Sequence, residues 1–158
     1  MIHEARGRFE PGEGLTEAPM VRVGIGFGRD RVVSTSAVVD TGADVCVFPS
    51  ELFPRALSGV RSRAILVQNM WGDRRPATVC YPAITVGTIR VDGVASVVFA
   101  GVEALLGRSF LNRLEVRLSA PKDLVLLRET VSSGRGGETQ GAAGSARSES
   151  EDDPDSFV

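Results

Sequence analysis

AVVDTGADVCVFP, residues 37–49, is the stretch from which the organisation of this sequence follows. Two apolar runs flank Asp40, and a hydroxyl residue, Thr41, and a small residue, Gly42, come directly after it. Taking a carboxylate out of water is unfavourable unless the carboxylate is paired or hydrogen-bonded. Thr41 can hold a turn through its hydroxyl group, and Gly42 lets another backbone segment come close. The pattern therefore places Asp40 in a tight turn, for a structural or a chemical reason.

A second segment, ALLGRSFL at residues 104–111, contains an apolar run that ends at Gly107. The apolar side chains of residues 109–114 then recur at helical spacing and fall on one face. This segment predicts a buried run that ends at the glycine and is followed by a short helix.

The two segments, in this order, resemble the signature segments of the retropepsin-like (retroviral-type) aspartic proteases, in a single-domain, bacterial-type form. The resemblance covers roughly residues 20–128. It implies an all-β fold, a closed β-barrel with one short α-helix and a β-hairpin flap. Such a flap closes over the substrate and excludes water.

The resemblance also assigns roles to the loop that follows the first apolar run. Asp40 would be the catalytic carboxylate, and Thr41, Gly42 and Ala43 would complete the active-site loop. The alternative, which the residues alone leave open, is that Asp40 only caps a tight turn.

Four further residues would support this loop or the bound substrate. The resemblance implies an ion pair between Asp44 and Arg108, which would tie the loop to the short helix. Leu106 and Gly107 would lie beside the loop. The alternative for Asp44 and Arg108 is two solvated charges that contribute ~0–1 kcal/mol.

The flap is expected between residues 63 and 81, with its tip at Met70, Trp71 and Gly72. The tip departs from the retroviral pattern because it has one glycine, where those members have several. Trp71 either contacts substrate or packs under the hairpin, and the sequence does not decide between the two.

Peptide hydrolysis by aspartates needs two carboxyl groups that face one water and share a proton. The sequence has one Asp-Thr-Gly and no second Asp-Thr-Gly or Asp-Ser-Gly. A two-fold homodimer brings the same loop to the axis twice. We therefore expect a homodimeric aspartic endopeptidase that cleaves extended peptide or protein substrates without a metal or a cofactor. Two alternatives are a catalytically inactive dimerisation or peptide-binding module, which the atypical flap favours, and a non-protease hydrolase, which no residue favours.

Alternating apolar residues predict further strands along the chain. They are expected at residues 20–27, 31–39, 45–48, 63–71, 78–81, 83–86, 88–91, 95–99, 115–118 and 124–127. Residues 50–53 are expected to form one helical turn with Ser50 as its N-cap. The last two strands are candidates for pairing with a second chain.

Composition limits the remaining possibilities. The chain has 158 residues, 42% hydrophobic residues and a net charge of −2. One domain fits this length, and no bulk attraction to nucleic acid or to an anionic membrane is implied. No apolar run reaches the roughly 18 residues of a membrane span, and the N-terminus lacks an apolar signal core, so a cytoplasmic protein is expected. The two cysteines are expected as buried free thiols, and with one histidine they do not predict a zinc site.

These patterns divide the chain into three parts. Residues 1–19 lack periodicity and are expected to be a flexible N-terminal arm. Residues 20–130 are expected to form the protease-like domain. Residues 131–158 are rich in serine, glycine and acidic residues, so they are expected to be a disordered tail.

Overall fold

The computed structural model describes residues 2–12, 16–27, 32–53, 62–68 and 72–130. Within these ranges the chain is almost entirely β, as predicted. The strands are β1 Ile2–Pro11, β2 Glu17–Gly26, β3 Val32–Val39, β4 Cys46–Pro49, β5 Arg63–Gln68, β6 Arg74–Cys80, β7 Ala83–Val86, β8 Ile89–Val91, β9 Ser96–Phe99, β10 Leu105–Leu106, β11 Glu115–Ser119 and β12 Leu124–Thr130. One α-helix, α1 Arg108–Leu111, and two single-turn 3-10 helices, Ser50–Leu52 and Ala120–Lys122, complete the described elements.

The strands form one sheet in the order β11-β12-β1-β2-β3-β10-β4-β9-β6-β5, with β7 pairing to β2 and β8. Within the described residues this order is open, from β11 at one end to β5 at the other. Closure into a barrel therefore stays a prediction. One face of the inner strands packs into an apolar core.

The core consists mainly of valine, leucine, isoleucine and phenylalanine side chains that alternate with outward residues. In β2, Val21, Val23 and Ile25 point inward, whereas Arg22 is exposed. Burial of such side chains contributes about 1.5–3 kcal/mol each. Among the described residues, Phe48 and Phe110 are the largest fully buried side chains.

Cys46 and Cys80 are buried free cysteines, as predicted. Burial raises the pKa of the Cys46 thiol, and the hydrogen bond with the Ser109 hydroxyl offsets part of that increase. Burial also raises the pKa of Cys80 to about 11. Both side chains therefore behave as small apolar groups at neutral pH.

The expectation of a flexible arm at residues 1–19 is wrong for residues 2–11, which form β1. Ile2–Gly7 pairs with β12, and Arg8–Pro11 pairs with β2. Of the residues that alternate toward the interior, only Ala5 is fully buried, so the segment carries little apolar signal. Backbone hydrogen bonds to two different strands hold β1, and composition does not reveal such bonds.

The chain-terminal strands also differ from the expectation. β11 and β12 pair with each other, as predicted, but β1 covers the other edge of β12. Leu124–Leu127 is therefore not free to pair with a second chain, and β11 is the outer strand at this end.

Two smaller differences concern helices. Ser50 begins its 3-10 turn, and Pro49 occupies the N-cap position without a side-chain cap. The α-helix covers Arg108–Leu111 and not residues 109–114. The predicted tail, residues 131–158, lies outside the described residues.

Gly7 lies where β1 changes from β12 to β2 as its partner. Adding a methyl group at this position is therefore expected to lower the stability of the fold strongly. A Cβ at Gly7 would overlap the Met20 carbonyl oxygen, which is backbone and cannot move away without disturbing β2. Gly7→Ala should therefore destabilise the fold by about 2 kcal/mol or more, as measured by urea unfolding. Gly12→Ala is the matched control, because its Cβ would meet only side-chain atoms, the nearest 3.3 Å away. Equal stability of the two variants would contradict the docking of β1.

Candidate functional site

The Asp40 loop connects β3 to β4 and is closed by Asp40 itself. One carboxylate oxygen of Asp40 accepts a hydrogen bond from the Gly42 N–H at 2.8 Å. The Asp40 carbonyl accepts from the Ala43 N–H at 3.3 Å. Asp40 is half-buried, whereas Thr41 and Gly42 are exposed. The sequence thus builds a tight turn that keeps a carboxylate at its surface.

Strand β10 lies between the two strands that flank this loop. Leu105 pairs in parallel with Val38 of β3 and antiparallel with Val47 of β4. The Asp40 N–H donates to the Leu106 carbonyl at 3.0 Å. The two segments that the sequence singled out therefore meet at the base of the Asp40 loop.

Gly107 is required by the close contact between this segment and the loop. A Cβ at Gly107 would overlap the Val45 carbonyl oxygen, so no larger residue fits without a backbone shift. Directly after it, the Arg108 N–H donates to the Ala43 carbonyl at 2.8 Å, and the Ser109 N–H donates to the Asp44 carbonyl at 3.0 Å. The start of α1 is therefore bonded to the loop backbone.

The expected ion pair between Asp44 and Arg108 is present. The side chains of Asp44 and Arg108 are 81% and 49% exposed, so solvent screens the pair. Exposed pairs contribute ~0–1 kcal/mol. The backbone hydrogen bonds, and not this ion pair, fix the loop against α1.

Ser109 is a further supporting residue that sequence reasoning missed. Its hydroxyl donates to the Ala95 carbonyl at 2.8 Å and accepts from the Cys46 N–H at 3.1 Å. It therefore links α1 to the start of β4 and to the residue before β9. A polar residue inside an apolar helical pattern was the available signal, but its partners are distant in sequence.

A row of half-buried apolar side chains crosses the sheet on the face opposite the core. The row consists of directly paired residues on five neighbouring strands, and we call it the apolar row: Val38, Leu105, Val47, Val97 and Val79. It begins two residues before Asp40. Each member is neither fully buried nor exposed, which suits a surface that a ligand can cover.

The β5–β6 hairpin continues the sheet at the far end of this row. Its register runs from Arg63↔Val79 to Gln68↔Arg74, which confirms the predicted hairpin. Met70 and Trp71 lie outside the described residues, whereas Gly72 is described, with a positive φ of 91°. The position of the tip therefore stays a prediction.

A cavity of about 260 Å³ lies beside the hairpin. Its walls include Val67 and Arg75 of the hairpin and Phe99 at the end of β9. The face of the sheet that carries the apolar row therefore has room for a side chain near the hairpin.

A family model described as gag-polyprotein putative aspartyl protease matches residues 31–113. This match spans more than half of the 158 residues. The chain belongs to this family. The matched range contains both the Asp40 loop and the Gly107 segment.

Similarity to a solved structure supports the retropepsin-like fold. A retropepsin-like aspartic protease from Rickettsia conorii aligns at 18% identity with a TM-score of 0.54, covering 82% of this chain and 92% of that chain. The EIAV protease in complex with the inhibitor HBY-793 aligns at 20% identity with a TM-score of 0.46, covering 65% of this chain and 92% of that one. No curated protein matches the sequence.

The described part of the chain lacks two further features. No group of three or more His, Cys, Asp or Glu side chains there could hold a metal ion. No helix there is long and apolar enough to cross a membrane.

The hydrogen bonds around the loop of this aspartyl protease family member predict an order of effects on stability. Ser109→Ala should destabilise the fold by about 1–2 kcal/mol, because it removes bonds to two partly buried backbone groups. Arg108→Gln should cost less than about 1 kcal/mol, because the ion pair is exposed. Urea unfolding of the two variants under identical conditions tests this order, and a larger effect of Arg108→Gln would contradict it.

Proposed function

We propose that the chain is an aspartic endopeptidase whose catalytic pair forms from Asp40 of two identical chains. The observation that carries the proposal is the placement of Asp40. The Gly42 N–H holds its carboxylate, the Leu106 carbonyl holds its backbone N–H, and the loop remains at the surface. Family membership and fold support the same reading.

In the proposed mechanism the two carboxyl groups share one proton and face one water. The ionised carboxylate takes a proton from the water as it attacks the peptide carbonyl carbon. The protonated partner donates to the carbonyl oxygen, and the leaving amine then takes up a proton as the C–N bond breaks. One chain supplies one such carboxyl group, so two chains related by a two-fold axis complete the site.

The loop residues suit this assembly. The Thr41 hydroxyl makes no hydrogen bond within the described residues, and its side chain is exposed, so it is available to the same loop of a second chain. Gly42 and Ala43 are small and leave space for a substrate backbone. Four neighbouring residues support the loop: Asp44, Leu106, Gly107 and Arg108.

Substrates would be extended peptides within proteins. A peptide in extended conformation would lie along the apolar row, and the β5–β6 hairpin would act as the flap above it. The half-buried Val38, Leu105 and Val47 favour apolar side chains near the scissile bond. We place this activity in the cytoplasm, where two buried thiols remain reduced.

Asp40→Asn should abolish peptide cleavage while the fold persists, because an amide cannot accept the proton from the water. Cleavage of a peptide library by the purified protein should fall by a factor of about 100 or more, the lower end of what general acid–base catalysis contributes. Asp92→Asn is the control, since Asp92 is an exposed turn residue paired with Arg90. If Asp40→Asn kept a tenth of the wild-type rate, the mechanism would be wrong.

Mixing wild type with the Asp40→Asn variant gives a second test of the proposed pair of Asp40 carboxyl groups. Wild type mixed with excess Asp40→Asn should lose activity, because mixed dimers carry one working carboxylate. Excess Asp92→Asn should not lower the activity. A mixture whose activity equals that of its wild-type content alone would contradict the shared site.

The rate should be highest in mildly acidic solution, because the pair needs one proton between its two carboxyl groups. Loss of that proton should lower the rate as the pH rises. A kcat/KM profile between about pH 3 and 9, which brackets carboxyl titrations, measures this. A flat profile, or a rate that rises toward the alkaline end, would count against the pair.

A further inference from the structure

A groove of about 320 Å³ opens where β1 leaves β2. Arg6 and Arg8 of β1, Arg22 of β2 and Ser36 of β3 line it. We call it the arginine groove. It forms because β1 pairs with β2 only as far as Arg8 and then crosses at Gly7 to β12, which leaves the next part of β2 uncovered.

The arginine groove lies on the same face of the sheet as the apolar row. Arg22 pairs with Ser36, and the next residues on that face, Met20 and Val38, also pair. Met20 is shared between the groove and this pair. Val38 belongs to the apolar row, and the intervening Ala37 points into the core. The groove is therefore continuous with the surface that leads to Asp40.

The line of the apolar row leads into the groove. Val38 pairs with Met20 of β2, and Met20 pairs with Arg8 of β1. Neighbouring strands lie about 4.8 Å apart, so Arg8 lies about 10 Å from Val38, a distance that about three residues of an extended peptide cover. A substrate that lies along the row thus reaches the groove with a side chain about four positions from the scissile bond.

Among the described residues, the charges around the groove leave one cation without a counterion. Arg6 pairs with Glu4 at 3.3 Å, and Arg8 approaches Glu10 at 4.0 Å. Glu10 also lines the groove. Arg22 makes no ion pair or hydrogen bond with any described residue, and its side chain is exposed. The groove therefore offers a guanidinium fork and the Ser36 hydroxyl to an incoming anion.

We propose that the arginine groove is a specificity site for an acidic side chain of the substrate, aspartate or glutamate, with Arg22 as its binding residue. A guanidinium binds a carboxylate through two parallel N–H donors, which distinguishes a carboxylate from an amide of the same shape. The proposal rests on the proposed function for the distance between the acidic side chain and the scissile bond. It adds the substrate class, namely peptides with an apolar cleavage site and an acidic residue about four positions away.

The test compares matched peptides that carry glutamate or glutamine at positions three to five from a cleaved bond. The glutamate peptide should have a kcat/KM about fivefold higher at low salt, the size expected of an exposed charge pair. The ratio should fall toward one as salt screens the pair. Arg22→Gln should bring the ratio to about one, whereas Arg90→Gln, at an exposed position on β8, should keep it.

Binding to the Asp40→Asn variant, followed by fluorescence anisotropy with labelled forms of the same peptides, needs no turnover. The glutamate peptide should bind more tightly, and adding Arg22→Gln should remove the difference. If wild type cleaved neither peptide but this binding difference appeared, the proposed function would fall and the arginine groove would stand.

Three results would overturn the proposal. The first is equal cleavage and equal binding of the two peptides. The second is a preference for glutamate that persists in Arg22→Gln. The third is faster cleavage of the glutamine peptide by Arg22→Gln, which would indicate that the acidic residues 149–155 of the chain itself occupy the groove.

Discussion

The structure depends on the insertion of β10 between β3 and β4. Strand β10 has two residues in its ladder, yet it accepts hydrogen bonds from Val38 through Ala104 and from Asp40 through Leu106. Strands β3 and β4 do not pair directly in the described sheet, and β10 between them holds both ends of the Asp40 loop. The carboxylate of Asp40 is presented at the surface as a result of this insertion.

The remaining contacts around the loop follow from that insertion. Gly107 ends β10 against the Val45 carbonyl, where no Cβ fits, and α1 then begins with two backbone hydrogen bonds to the loop. Ser109 extends the link to the strand that follows the loop. The Asp44–Arg108 ion pair sits outside these bonds in solvent. The ion pair adds little to a geometry that the backbone hydrogen bonds already fix.

The sequence predicts those parts of the fold that leave a local signal. Asp40-Thr41-Gly42 and the run ending at Gly107 identify the loop and its supporting strand, and alternating valines identify most of the sheet. Strand β1 leaves a much weaker signal, because backbone hydrogen bonds to β12 and β2 hold it and Phe9 is its one large apolar side chain that packs against the core. For the same reason the sequence does not reveal that β1 covers one edge of β12.

The candidate site is likewise predictable only where neighbouring residues in the sequence define it. The Asp40 loop and its ion pair follow from matched residue types, but the hydroxyl of Ser109 acts on Ala95 and Cys46, which are distant in sequence. Likewise, the apolar row and the arginine groove are defined by which residues stand opposite one another across strands. Strand register decides these neighbours, and register depends on the assembled sheet.

In the proposed function, one chain carries half of a catalytic site. The most direct test follows cleavage rate per chain and sedimentation across the same dilution series. If two chains form the site, the rate per chain should rise with concentration and level off where the dimer predominates, with one dissociation constant describing both measurements. A sedimenting monomer with a full and constant rate per chain would contradict the account.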